Sequence, residues 1–394
     1  MNTLDLPAPV ELRPTPASAL KPAKDHRSAA EKKCIFPTTL ANFRELIMGV
    51  LQTAGVATIV EVGSEHGEFT EVLCSHAQRQ GGRLISIDPA PQSAALDFIQ
   101  THDGQSYFQF LQKTSHEALP GLRADAYIVD GDHNYYTVRR ELELIEAGFG
   151  ASPFLAIMHD VCWPCGRRDG YYNPSAIPAE HRHDYSDKGA IAPGVAGLAE
   201  SGLLLTSVMP FAVEEGGPAN GVRTATEDFL AGRPNLEFAI IPAMLGLGIL
   251  YDRTAPWAEA LSKLLAPFAS NPLLERLEAN RLQLFLRVLD LEKKLAAHSA
   301  TLAAQGLIKQ PVSPQAQRAL AEAYLAERQW AEAGALFQSL VHHFPDDLKL
   351  WQGHLECARR RNHRTHAKLI FNDAVRLHPE WATALKSETV PKST

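Results

Sequence analysis

The chain has 394 residues, 45% of them apolar, with 38 Lys and Arg against 45 Asp and Glu for a formal charge of −7. That is length enough for two domains, and too balanced a charge to advertise nucleic acid or an anionic membrane surface as a partner. Five cysteines make no disulfide framework, no apolar run approaches the ~20 residues that span a bilayer, and the first residues lack a secretion pattern, so a cytoplasmic setting is expected.

Residues 1–36 carry five prolines and scattered charges without periodicity, which predicts a disordered arm. From 38 to about 54, Leu40, Phe43, Ile47, Val50 and Leu51 fall on one helical face, and this helix is expected to cover an edge of a sheet. Next comes Ile59-Val60-Glu61-Val62-Gly63-Ser64-Glu65-His66-Gly67-Glu68-Phe69-Thr70, an apolar strand entering a glycine turn that opens a helix. The second apolar run, Leu84-Ile85-Ser86-Ile87, ends on Asp88, so the two together read as a nucleotide-type βαβ unit. Gly63 and Gly67 let the main chain turn sharply and approach a ligand, while Asp88 can accept both hydroxyls of a ribose. A diphosphate site would show G-x-G-x-x-G. Here the spacing is G-x-x-x-G, with Glu61 before it and Glu65 and Glu68 at the helix start, which suits a cationic adenosine-like ligand instead.

Helices are predicted over 68–78, 92–99 and 135–147, alternating with strands, so a mostly parallel sheet is expected. The run 124–129 ends in Asp130-Gly131-Asp132-His133, and the run 154–158 ends in His159-Asp160. Both clusters fall at strand carboxyl ends, where open α/β sheets bind their ligands. Hard oxygens with one imidazole make Asp130, His159 and Asp160 a candidate Mg²⁺ or Mn²⁺ site, with Asp132 a substitute ligand. The competing reading has these carboxylates only orient a cofactor and cap loops. His133 beside them is the candidate general base. The runs 236–241 and 246–251, joined around Pro242-Ala243, predict a terminal antiparallel pair.

Taken in order, these segments resemble the class I S-adenosylmethionine-dependent methyltransferases over roughly 37–255. The resemblance implies an α/β fold with a Rossmann-like, seven-stranded methyltransferase sheet. It also implies that S-adenosylmethionine is held by Glu61, Gly63, Ser64, Gly67, Asp88, Ser115 and Asp130, with Asp130 and His133 catalytic. The carboxylate cluster is similar to that of the divalent-metal-dependent O-methyltransferases of catechols and macrolide sugars, and to a cephalosporin-hydroxylase-like group with an Asp-Gly-Asp-His segment. Those families generally carry an acidic or amide group where His159 stands.

The long segment 161–193 contains Trp163, Arg167, Arg168, Tyr171, Tyr172, Arg182, His183 and Tyr185. Such a loop serves as a lid or a saccharide platform, or simply packs as a surface insertion. Cys162-Trp163-Pro164-Cys165 admits a redox pair, a zinc site with His181 and His183, or ordinary loop cysteines, the last being favoured.

Beyond 271, Leu277, Leu284, Val288, Leu291 and Leu295 follow spacings close to a heptad, interrupted by Arg281. The seam either pairs with another subunit or docks on helices of its own chain, where it would cap the helical tail. Phe337 to Phe371 and Pro345 to Pro379 are each 34 residues apart, so this all-α tail resembles tetratricopeptide repeats, which bind a protein partner or support self-association. The basic run 359–364 reads as a solvated turn. The expected organisation is an arm over 1–36, a methyltransferase domain over 37–255, a helical connector over 256–310 and a repeat domain over 311–394. The expected activity is metal-assisted O-methylation of a small molecule or saccharide, against a hydroxylase or hydrolase on the same fold, or an interaction protein with a vestigial transferase domain.

Overall fold

The structure is a computed structural model that describes residues 39–64, 67–102, 104–150, 152–205, 209–304 and 313–386. The expected arm over 1–36 lies outside the described residues. Contacts divide the chain into two compact units, one reaching to Arg167 and resuming over Pro218–Glu275, the other formed by Arg168–Gly217 and the chain from Arg276.

The first unit is built on β1 (Ile59–Val62), β2 (Leu84–Ile87), β3 (Phe108–Leu111), β4 (Ala126–Val129) and β5 (Leu155–Met158). Four of these five are buried at every residue, as strands covered on both faces must be, which is why they read as apolar runs broken only by Glu61 and Ser86. Short strands β6 (Tyr185–Ser186), β7 (Ala190–Ile191), β8 (Leu203–Leu204) and β9 (Phe211–Ala212) belong to the second unit, and β10 (Leu236–Ile241) and β11 (Leu247–Asp252) return to the first. The seven-stranded sheet runs β10-β11-β5-β4-β1-β2-β3. β11 is antiparallel to both β5 and β10, and the remaining pairings are parallel. Strand order reverses at β1, between β2 and β4, so a crevice opens at its carboxyl end.

The helices of this unit are α1 (Arg44–Thr53), α2 (Glu68–Arg79), α3 (Ser93–His102), α4 (Ser115–Ala118), α5 (Tyr135–Phe149), α6 (Val222–Leu230) and α7 (Ala258–Leu265). A short 3₁₀ turn over Leu40–Phe43 precedes α1, capped by the Thr39 hydroxyl. The expected edge-covering role of this helix is more specific in the structure: α1 packs on α7, and Phe43 meets the His159 ring edge-on at 6.0 Å. Asn134 caps α5 by accepting from the Thr137 N–H at 2.9 Å, and Val138, Leu142 and Ile145 present the buried face at helical spacing.

In the second unit, β6 pairs with β9 and β7 with β8. Arg168, with no exposed surface, holds this insertion together by donating to the carbonyls of Ala212, Val213, Val195, Ala196 and Gly197 at 2.5–3.4 Å. α8 (Pro272–Ala304) continues from the first unit into the second, followed by α9 (Pro314–Ala326), α10 (Trp330–His343), α11 (Leu348–Arg360), α12 (Arg364–Leu377) and α13 (Ala382–Lys386). α9 and α11 begin 34 residues apart, as do α10 and α12, and α9 to α12 pack each on the next. Ala321, Phe337, Leu340, Trp351, Leu355, Ile370 and Ala374 share their core. The basic run lies at the turn between α11 and α12, where Arg360 pairs with Glu356 and Arg359 donates to the Leu385 carbonyl.

Candidate functional site

The site lies at the carboxyl ends of β1, β2, β4 and β5. Leaving β1, Gly63 takes φ 88°, and a Cβ there would stand 2.1 Å from the Asp130 carbonyl oxygen. Glycine is therefore required by the close packing of two loops of the protein itself, the β1 and β4 turns. Gly67, at φ 80°, opens α2 and lies against Ala95, where a Cβ would come within 3.0 Å of its Cα. Asp88 ends β2 facing the same turn: one oxygen accepts from the Ser64 N–H at 3.0 Å and its hydroxyl at 3.2 Å, the other from the Ala90 N–H at 2.8 Å.

Glu61 sits below the turn. It is 2% exposed, and its oxygens accept from Ser86 at 2.6 Å and Thr70 at 2.9 Å, tying β2 and α2 to β1. Burial pushes its carboxyl up to about 7, against the lowering effect of the Ser86 and Thr70 hydroxyls. Ser115 opens α4 beside Glu141, a fully buried carboxyl that burial raises to about 8. Among the described residues no donor meets full hydrogen-bond geometry at either Glu141 oxygen, and the Ser115 hydroxyl only partly offsets the effect of burial. Sequence reasoning missed Glu141, since a glutamate in a charged helix reads as a surface residue.

At the ends of β4 and β5 the structure brings together Asp130, His133, His159 and Asp160. His133 Nε2 lies 2.8 Å from Asp160 Oδ2 and 3.8 Å from Asp130 Oδ1. His159 Nδ1 lies 3.2 Å from Asp130 Oδ1 and 3.4 Å from Asp160 Oδ2. Its other nitrogen, Nε2, is 3.0 Å from the Met244 carbonyl, which can only accept, so Nε2 carries the hydrogen. In the neutral ring Nδ1 then turns its lone pair toward two carboxylates, an arrangement that calls for a cation, either a proton or a metal ion. Burial alone would depress His159, but Asp160 and Asp130 outweigh it and hold the imidazole up at about 9. His159 and His133 in turn overcome burial at Asp130 and keep its carboxyl below the usual range. Asp160 adopts φ 57°, the left-handed region that Asp tolerates better than most residues, which turns its side chain back toward β4.

Asp130, His159 and Asp160 each offer one ligand atom within 4.8 Å of the others, the one such group of potential metal ligands among the described residues. Two oxygens and an imidazole nitrogen already aligned by a carbonyl fit a divalent ion. Asp132 is placed elsewhere: it accepts from the His133 N–H at 3.0 Å and Asn134 Nδ2 at 2.6 Å, shaping the entry to α5. The β10–β11 turn supplying the Met244 carbonyl has Met244, Leu245 and Gly246 all at positive φ. Nothing in the sequence announces that contact. Cys162 and Cys165 are not joined by a disulfide.

Residues 60–149 match the family described as a methyltransferase domain, a span from β1 to the end of α5 that holds most of these residues but stops short of His159 and Asp160. No curated protein matches the sequence. Similar solved structures include the SAH-bound Podospora anserina methyltransferase PaMTH1, at 13% identity over 52% of this chain and 76% of that one, TM-score 0.33. The Bacillus cereus O-methyltransferase in complex with SAH is 12% identical over 57% of this chain and 86% of that one, TM-score 0.34. The Bradyrhizobium japonicum N-methyltransferase NodS is 13% identical over 55% and 87%, TM-score 0.30. At these scores none bears on the chemistry of this chain. Over residues 60–149 the chain is thus similar to a methyltransferase domain, carried on a seven-stranded sheet in which β11 runs antiparallel to its neighbours.

Proposed function

We propose that the protein methylates a hydroxyl of a small molecule or saccharide from S-adenosylmethionine, assisted by Mg²⁺ or Mn²⁺ at Asp130, His159 and Asp160. The carrying observation is His159, whose nitrogens are assigned by the Met244 carbonyl on one side and two carboxylates on the other. When bound, the methyl donor supplies an already activated methyl group, and the ion would make a hydroxyl on it a better acid. The residues of the chain do the rest. Asp88 takes the ribose hydroxyls, with Gly63, Ser64 and Gly67 forming the turn around the donor and Ser115 on the adenine side. Glu61 supports that turn from below through Thr70 and Ser86. Asp130 would stand beside the sulfonium of the bound donor. His133 takes the acceptor's proton, and Asp160 at 2.8 Å stabilises the imidazolium so formed.

Taken by itself, the insertion carries Tyr172 and Tyr185, exposed at 60% and 43%, with the Arg182 guanidinium over the Tyr185 ring at 5.5 Å. Aromatic faces of this kind suit a saccharide. Arg168, counted in the sequence as part of that platform, is consumed by backbone carbonyls. The domain limits 37–255, 256–310 and 311–394 are kept in this reading, the last as a tetratricopeptide-like module for a protein partner, and the setting as cytoplasmic. No helix among the described residues is long and apolar enough to cross a membrane.

The test is calorimetry with S-adenosylmethionine followed by labelled-methyl transfer to a panel of hydroxylated acceptors, with and without chelator. Asp88→Ala should weaken donor binding by ~1.5–3 kcal/mol, the range for hydrogen bonds to a charged group. Absence of donor binding by the intact protein rejects the reading as a whole. Full turnover after exhaustive chelation removes the metal alone, and unchanged turnover in His133→Ala removes the base.

A further inference from the structure

One face of α8 is covered and the other is open. Glu278, Leu282, Ala296 and Ser299 are buried, whereas Leu277, Leu284, Leu291 and Leu295 are exposed at 56, 63, 49 and 46%. The seam that carries these leucines is ordered, with Leu274, Arg281 and Val288 half-buried between them. Positions 274, 277, 281, 284, 288, 291 and 295 alternate spacings of three and four, and read Leu, Leu, Arg, Leu, Val, Leu, Leu. That is the repeat of core positions in a coiled coil, carried on a helix of 33 residues, about 50 Å long.

We propose that this seam is the interface of a homodimer, in which α8 pairs in parallel with α8 of a second copy. Three observations select that occupant. A strict 3.5-residue period over three heptads matches another helix of the same period along its whole length, and a second copy carries that period in the same register by construction. The flanking charges are complementary in the parallel arrangement. Arg287 precedes a core position and Glu292 follows the next one, so the Arg287 of each copy comes opposite the Glu292 of the other, twice per dimer. Antiparallel pairing that matches the same leucines would instead set Arg287 against Arg287 and Glu278 against Glu292. Finally, the charge inside the seam is already neutralised: the Arg281 guanidinium pairs with Glu278 of its own helix at 2.6 and 2.7 Å. A polar group at one core position lowers stability while fixing register and partner number.

The experiment is sedimentation of the full-length protein across the micromolar range, with helicity and melting recorded for every variant. Wild type sediments as a dimer. Leu284→Glu with Leu291→Glu weakens the dimer by at least about 100-fold, since each seam leucine removed is worth roughly tenfold or more and both copies lose it. If that variant unfolds, Arg281→Leu still decides, because an apolar core residue there must tighten the dimer. Leu284→Cys crosslinks to its own copy on oxidation beyond any wild-type background, since parallel pairing places the two 284 positions together. A monomeric wild type overturns the proposal. So does a dimer indifferent to both seam variants, or a dimer in which the 284 cysteines fail to join.

Discussion

His159 owes its behaviour to neighbours that come from four places in the chain. The Met244 carbonyl takes the Nε2 hydrogen, Asp130 and Asp160 face Nδ1, and the Phe43 ring closes one side. If these groups hold a divalent ion as proposed, removing the imidazole should weaken that ion's binding and leave the methyl donor alone. In calorimetry with Mn²⁺, His159→Ala and Asp160→Asn are expected to lose at least about 10–100-fold in affinity, the loss typical even of an outer partner of a metal ligand. Affinity for S-adenosylmethionine should stay within a few fold. Undiminished Mn²⁺ binding in both variants would leave these groups as an ion-paired scaffold. Glu141 makes a different point at the same scale. Its carboxyl, held up to about 8 by burial, keeps its proton in the folded chain well above the unfolded value near 4.5. For an acid with a raised folded pKa, stability is full below the unfolded value and falls as pH rises through the folded one. Glu61, pushed up to about 7, acts in the same direction. Glu141→Gln should therefore raise the melting temperature relative to wild type at pH 9 and change it little at pH 5. An equal shift at both would show that the carboxyl is not the titrating group.

At the scale of elements, the helical unit depends on one close crossing. A Cβ on Gly353 of α11 would stand 2.6–2.8 Å from three atoms of the Phe337 ring of α10, a buried side chain with no room to retreat. Gly353→Ala gains helix propensity but overfills the contact, which typically costs ~1–3 kcal/mol. Denaturation of the α9–α12 helices should register that loss, while S-adenosylmethionine affinity does not change. A stabilised variant would mean that α10 and α11 can separate without penalty. The sheet shows the opposite economy of means. Its strands are short, yet four are buried throughout, and every ligand-facing turn leaves from a carboxyl end as right-handed crossovers require.

For the whole molecule, two compact units with separate cores should lose structure separately. Calorimetric scans of the full chain are expected to show two transitions. S-adenosylhomocysteine should raise the one that belongs to the seven-stranded sheet, by mass action on the folded state, and leave the α9–α12 transition in place. A single transition that moves as a whole with ligand would show the units to be energetically one.

How much of this was legible depends on how local each determinant is. The βαβ unit, the placement of Asp88, Asp130 and Asp160 at strand ends, the antiparallel final strands and the 34-residue period were all present in the sequence. Each rests on runs and turns a few residues long, repeated in order along the chain. The N–H of His159 was not, because the carbonyl that assigns it lies 85 residues away on a turn of unusual backbone. Nor was the fate of Arg168, whose five carbonyl partners come from two later segments, 195–197 and 212–213. Glu61 and the α8 seam complete the pattern: a place before the glycine turn marked the first and periodicity the second, but which way a carboxylate or a row of leucines faces is decided by what packs on the other side. The sequence by itself determined the order of the elements and the chemistry at their ends. The tertiary structure alone decided which of those groups meet, since burial and contact between distant segments are properties of the folded chain.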